Sequence, residues 1–84
     1  MDIMIISEAS TMSEKRKQIN YTVALVSEFA KKYNMTQKQA FGYLYEYKGI
    51  EFVKENYEIE HTLSFDEAVI DCAAVCRING GAVA

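Results

Sequence analysis

Apolar residues recur at intervals of three and four along most of this chain, the spacing of helices buried along one face. From Ser13 to about Tyr33 the set is Ile19, Val23, Val26, Phe29, Ala30 and Tyr33, which predicts one long helix with these side chains inward. Thr11-Met12-Ser13-Glu14, a Thr-x-x-Glu sequence suited to capping free backbone donors, marks its start, and Asn34 breaks the pattern. A second helix is expected from the capping sequence Thr36-Gln37-Lys38-Gln39, with Ala40, Phe41, Leu44, Tyr45 and Tyr47 turned inward. Gly49 is expected to stop it in a left-handed conformation. Gly42 costs about 1 kcal/mol against alanine inside a helix and is expected to mark the close approach of a neighbour.

Ile50, Phe52, Val53 and Tyr57 predict a short third helix that the polar stretch 58–62 ends. The last helix is bounded most clearly. Ser64-Phe65-Asp66-Glu67 caps it, its two acids favour the positive helix start, and Asn79-Gly80-Gly81 ends it. Its inward stripe is Phe65, Ala68, Val69, Cys72, Val75 and Cys76. Residues 1–12 run from apolar Ile3, Met4, Ile5 and Ile6 into polar Ser7 and Glu8 without a helical stripe, and are expected as a flexible leader or short strand. The fold class is therefore all-α: a compact bundle of three longer helices and one short one. The leader spans 1–12, a single helical domain spans 13–81, and a tail spans 82–84.

Composition narrows the function classes. With 84 residues the chain can build one core and not two, and a core of that size leaves room for a partner or a second copy to add stability, so self-association is an expectation. The net charge of −3, from 12 acidic and 9 basic residues, lacks the basic excess that phosphate neutralisation demands, which weighs against nucleic acid. The basic stretch Lys15-Arg16-Lys17 reads as a solvated face. No apolar run reaches the roughly 18 residues that span a bilayer, so no membrane role and a cytoplasmic location are expected.

Candidate chemistry is sparse. Cys72 and Cys76, four apart on the apolar stripe, read as core residues; adding His61 gives three zinc ligands where a closed site needs four, so no metal and no cofactor are expected. His61 lies among acids in Tyr57-Glu58-Ile59-Glu60-His61-Thr62 and reads as a loop-to-helix bridge before it reads as a general base. Asp71, beside the buried stripe, must be paired if it is enclosed, with a tyrosine or His61 as candidate. Four of the six tyrosines, Tyr43, Tyr45, Tyr47 and Tyr57, crowd a short stretch. Each hydroxyl needs a partner or water, so an aromatic interaction face is expected there. No catalytic residue is expected.

Across Ala24 to Gly81 the chain resembles a family of short bacterial proteins of unknown function, through Tyr43-x-Tyr45, Gly49-Ile50-x-Phe52, Tyr57, His61-Thr62-Leu63-Ser64 and Glu67-Ala68-x-x-Asp71. That resemblance implies genes neighbouring those for ADP-ribosyltransferase-like proteins, and with them a toxin-and-antitoxin or accessory arrangement. The leading expectation is a noncatalytic protein-binding module, not an enzyme. Second stands a helix-turn-helix DNA-binding regulator, because the segment from Met35 resembles the first helix of such a reader, although Glu51 and Glu55 on the next helix would be repelled by phosphates. A small-ligand-binding protein or enzyme centred on His61 stands third.

Overall fold

A computed structural model describes the backbone of residues 2–82 and the side chains of residues 14–82. Among these residues five helices and no strand occur: α1 (Asp2–Lys32), α2 (Gln37–Glu46), α3 (Gly49–Glu55), α4 (Tyr57–Glu60) and α5 (Phe65–Ile78). The all-α bundle expected from periodicity is what forms. The leader differs from its expectation: the backbone is helical from Asp2, so α1 runs through Thr11 to Glu14 instead of starting there.

Helix ends follow local chemistry. α1 closes where Asn34 takes a left-handed φ of 54° and the Met35 amide donates back to the Ala30 carbonyl at 2.9 Å, a backbone turn that Asn tolerates better than most residues. At the start of α2 the Gln39 amide donates to Thr36 Oγ1 at 3.1 Å and the Thr36 amide to Gln39 Oε1 at 2.9 Å, the reciprocal cap expected. Ser64 Oγ likewise accepts from the Glu67 amide at 3.1 Å. α5 closes through Gly80 at φ 102°, with the Gly81 amide donating to the Cys76 carbonyl at 2.8 Å.

Neither glycine of the middle plays the role expected of it. The left-handed residue between α2 and α3 is Lys48, at φ 73°, whereas Gly49 opens α3 and is buried. A Cβ on Gly49 would stand 2.7 Å from Leu44 Cδ2 and 3.1 Å from Cys76 Sγ, so glycine is needed there for close packing. A Cβ on Gly42 would meet nothing within 4 Å, and no neighbour approaches it. The stretch 58–62 also differs, since the chain turns at Asn56 and makes the extra helical turn α4 instead of ending in a loop. Asn56 stabilises that break by donating from Nδ2 to the Phe52 carbonyl at 3.0 Å.

The core joins Leu25, Val26, Phe29 and Ala30 of α1, Ala40 and Leu44 of α2, Val53 of α3 and Ala68, Val69, Cys72, Ala73 and Cys76 of α5. Phe29 sits at its centre, fully enclosed, with its ring 4.7 Å from Tyr33 and 5.8 Å from Tyr43. Both cysteines are buried and free, as expected of core residues. Several side chains expected inside are not. Phe41 and Tyr45 of α2 and Phe65 of α5 are exposed, and so are Ile19 and Val23, because α2 and α3 are too short to cover the α1 stripe beyond its C-terminal half. The described side chains from Glu14 to Asn20 all face solvent except half-buried Gln18, and the molecule measures 51 × 22 × 22 Å, so α1 extends well past the bundle.

Candidate functional site

The four tyrosines singled out by sequence do not form one face. Tyr43 and Tyr47, one helical turn apart, lie together with ring centroids 4.9 Å apart and continue onto Phe29. Tyr45, two residues from each, points away and stacks on Phe41 at 6.2 Å. Tyr57 belongs to the interior, edge-on to Tyr21 at 5.6 Å. A helix cannot gather residues at positions i, i+2 and i+4 onto one side, and the expected aromatic surface is divided for that reason.

His61 bridges locally. Its exposed ring stacks on Tyr57 at 4.6 Å and 11°, and Nδ1 lies 2.7 Å from the Tyr57 carbonyl. A carbonyl only accepts, so Nδ1 carries the proton and donates it there. Asp71 is half-buried, and its partner is a residue that sequence reasoning missed, Glu60. Only 4% of Glu60 is exposed, and its Oε1 is enclosed without a hydrogen-bond partner. Burial, then a side-chain hydrogen bond with Asp71 and the charge of that carboxyl, push the Glu60 acid up to about 7.

Surrounding groups follow the same environment. The Tyr21 hydroxyl donates to the Glu60 backbone carbonyl at 3.0 Å, tying α1 to α4, and burial with the nearby Glu60 charge pushes it up to about 12. Burial and Glu60 also push the Cys72 thiol up to about 12, and burial raises Cys76, so both thiols are held in the protonated form that binds metals poorly. Among the described residues no group of three His, Cys, Asp or Glu side chains is placed to hold a metal ion. The signal for Glu60 was present in the spacing Val53, Tyr57, Glu60, which continues one helix face through the Asn56 break.

The feature most open to a partner is apolar. Ile19, Val23 and Phe41 are 62%, 53% and 49% exposed and line a groove of about 510 Å³ between α1, α2 and α3, with Gln18, Thr22 and Ile50. A second hollow, sharing Thr22, Val23 and Phe41, adds Val26, Gln37 and Lys38. Among the described residues, the charged ones around the two are Lys15, Lys38 and Lys54, and no acid lines either. α2 and α3 are joined by the short Tyr47-Lys48 connection of a helix-turn-helix, but α3 has only seven residues and exposes Glu51 and Glu55. No helix of the described residues is long and apolar enough to cross a membrane.

Fold and site together define a small helical protein with an uncovered apolar groove and an enclosed carboxyl, Glu60, beside half-buried Asp71. The chain belongs to the family described as protein of unknown function (DUF3791), whose model matches residues 20–79. That match covers the bundle and most of the groove, leaving Lys15, Ile19 and the preceding turns of α1 outside it. No curated protein and no solved structure matches the chain.

Proposed function

We propose that this protein is a noncatalytic protein-binding module whose docking surface is the groove of Ile19, Val23 and Phe41 rather than a tyrosine face. The observation that carries this reading is the groove itself: three large apolar side chains, each about half exposed or more, in a concave strip with a basic rim. Such a surface gains free energy when apolar partner atoms displace its water, and the lysines choose among partners by charge. Glu60 and Asp71 belong to the scaffold, since the Glu60 carboxyl is enclosed and meets Asp71 of α5 while the Tyr21 hydroxyl ties the Glu60 backbone to α1. The resemblance to short bacterial proteins supplies a setting, a cytoplasmic accessory or antitoxin-like partner of an enzyme encoded nearby.

The test is affinity capture from native lysate with tagged wild-type chain and a Val23→Glu, Phe41→Glu variant. Wild type is expected to retain a protein in stoichiometric amount, whether an untagged copy or another chain, and the variant to lose it. Retention of no protein by the wild type, or equal retention by the variant, overturns the reading.

A further inference from the structure

We propose that the groove takes an acidic amphipathic helix of a partner protein, its apolar side chains at i, i+4 and i+7 set into the groove and Asp or Glu flanking them. The inference rests on the reading of the groove as a protein-docking surface and names the chemistry of the occupant. Along α1 the groove follows Ile19, Val23 and Val26, about 10 Å of helix rise, and Phe41 of α2 and Ile50 of α3 complete its apolar lining. All three walls are helices, so their backbone groups are paired within the helix and no strand edge is offered. Thr22 is engaged as well, its hydroxyl donating to the Gln18 carbonyl at 2.8 Å. An extended peptide laid there would leave its own amides without partners, whereas a helix pairs them internally and presents only side chains.

Charge gives the occupant its sign. The whole chain carries −3, yet the charged groups at the groove among the described residues are lysines: Lys15 and Lys54 in the hollow with Ile19, and Lys38 in the hollow with Val26. Away from the groove, Lys17, Lys31 and Lys48 have the acids Glu14, Glu28 and Glu51 at 3.8, 3.3 and 3.7 Å. Lys15, Lys38 and Lys54 make no ion pair with a described acid. Glu51 and Glu55 line a separate hollow with Tyr45 and Glu46, which shares only Ile50 and Lys54 with the groove. Acids on a partner helix therefore meet positive charge that this chain leaves unmatched, which speeds encounter and rejects basic helices. Two copies joined groove to groove would set these lysines against one another, so the observations favour a different chain.

The test is selection on the full chain from a display library of random peptides of about 16 residues, enough for four turns of helix. Enriched peptides are then titrated by fluorescence anisotropy against wild type, Val23→Glu and a Lys38→Glu, Lys54→Glu variant. All three positions are exposed, and far-ultraviolet circular dichroism checks that each variant folds. The peptides are expected to carry apolar residues at helical spacing among acids, to gain helical signal on binding, and to lose Val23→Glu altogether. The charge-reversed variant is expected to bind them about tenfold more weakly, a gap that narrows as salt rises. Groove-dependent peptides with alternating apolar residues, without acidic excess, or bound equally by the charge-reversed variant overturn the proposal and leave the docking surface standing. A wild-type dimer in sedimentation velocity that Val23→Glu abolishes overturns it too, since the occupant is then a second copy. Selection of no Val23-dependent peptide also overturns it: if the lysate capture still shows a protein that the groove variant loses, only the occupant is wrong, and if it does not, both readings fall.

Discussion

Two regions of this molecule invert each other. At the corner where α4 meets α1 and α5, a carboxyl is enclosed where the residue type promises surface; along the outer half of α1, Ile19 and Val23 lie in solvent where the residue type promises core. The contrast separates two things that periodicity merges. A stripe tells which side of a helix faces its neighbours, but how far cover extends depends on the neighbours' lengths, and α2 and α3 end too soon. At the other corner cover is complete, because Tyr21, Tyr57 and α5 close over a residue that follows the inward spacing of α3.

The sharpest way to probe the contrast is pH. Since burial disfavours the carboxylate, native Glu60 keeps its proton to about 7, whereas the unfolded chain releases it near the ordinary value of 4.5. Between those values the folded state binds more protons, so the contribution to stability is fully present below 4.5 and lost as pH rises through about 7, on the order of 3 kcal/mol in all. Urea denaturation at a series of pH values should show that decline in wild type and a much flatter profile in Glu60→Gln; equal slopes would mean that the corner is wetter than its burial indicates.

Next in size come the glycines, which compare crowded and open backbone. Gly49→Ala sets a methyl against Leu44 and Cys76 and should lower stability by about 1–3 kcal/mol. Gly42→Ala meets nothing and should raise it by about 1 kcal/mol through helix propensity. Thermal unfolding followed by circular dichroism separates the two signs. Smallest is Ile19→Ser, expected within about 0.5 kcal/mol of wild type because little of that side chain is covered. A larger loss would place Ile19 in the core after all.

What could be read in advance depended on how local the cause was. Thr36 with Gln39, Ser64 with Glu67, Asn34 and the Asn79-Gly80-Gly81 end act through neighbours in sequence, so the corresponding helix ends were legible. Gly49 was misjudged as a stop because what crowds it, the Leu44 side chain and the Cys76 sulfur, is set by how α2, α3 and α5 pack and not by neighbours in sequence. Of the candidate site, His61 bonds back to the Tyr57 carbonyl and Asp71 does have a partner, but that partner, Glu60, was overlooked because an acid in a polar stretch promises surface, although its spacing from Val53 and Tyr57 pointed inward. The tyrosines were grouped by proximity in sequence, and helical geometry divides them.

The packing of the first helix on the last also constrains how the protein comes to exist. Phe29 and Leu25 share their core with Cys72 and Cys76, so the bundle cannot close until α5 has been synthesised. At about 5–20 residues per second, the chain between the end of α1 and the end of α5 takes several seconds to emerge, and for that time the α1 stripe has no finished core to enter. Until α5 arrives, Leu25, Val26 and Phe29 lack the partners that complete their core, the condition in which a growing chain is most prone to aggregate.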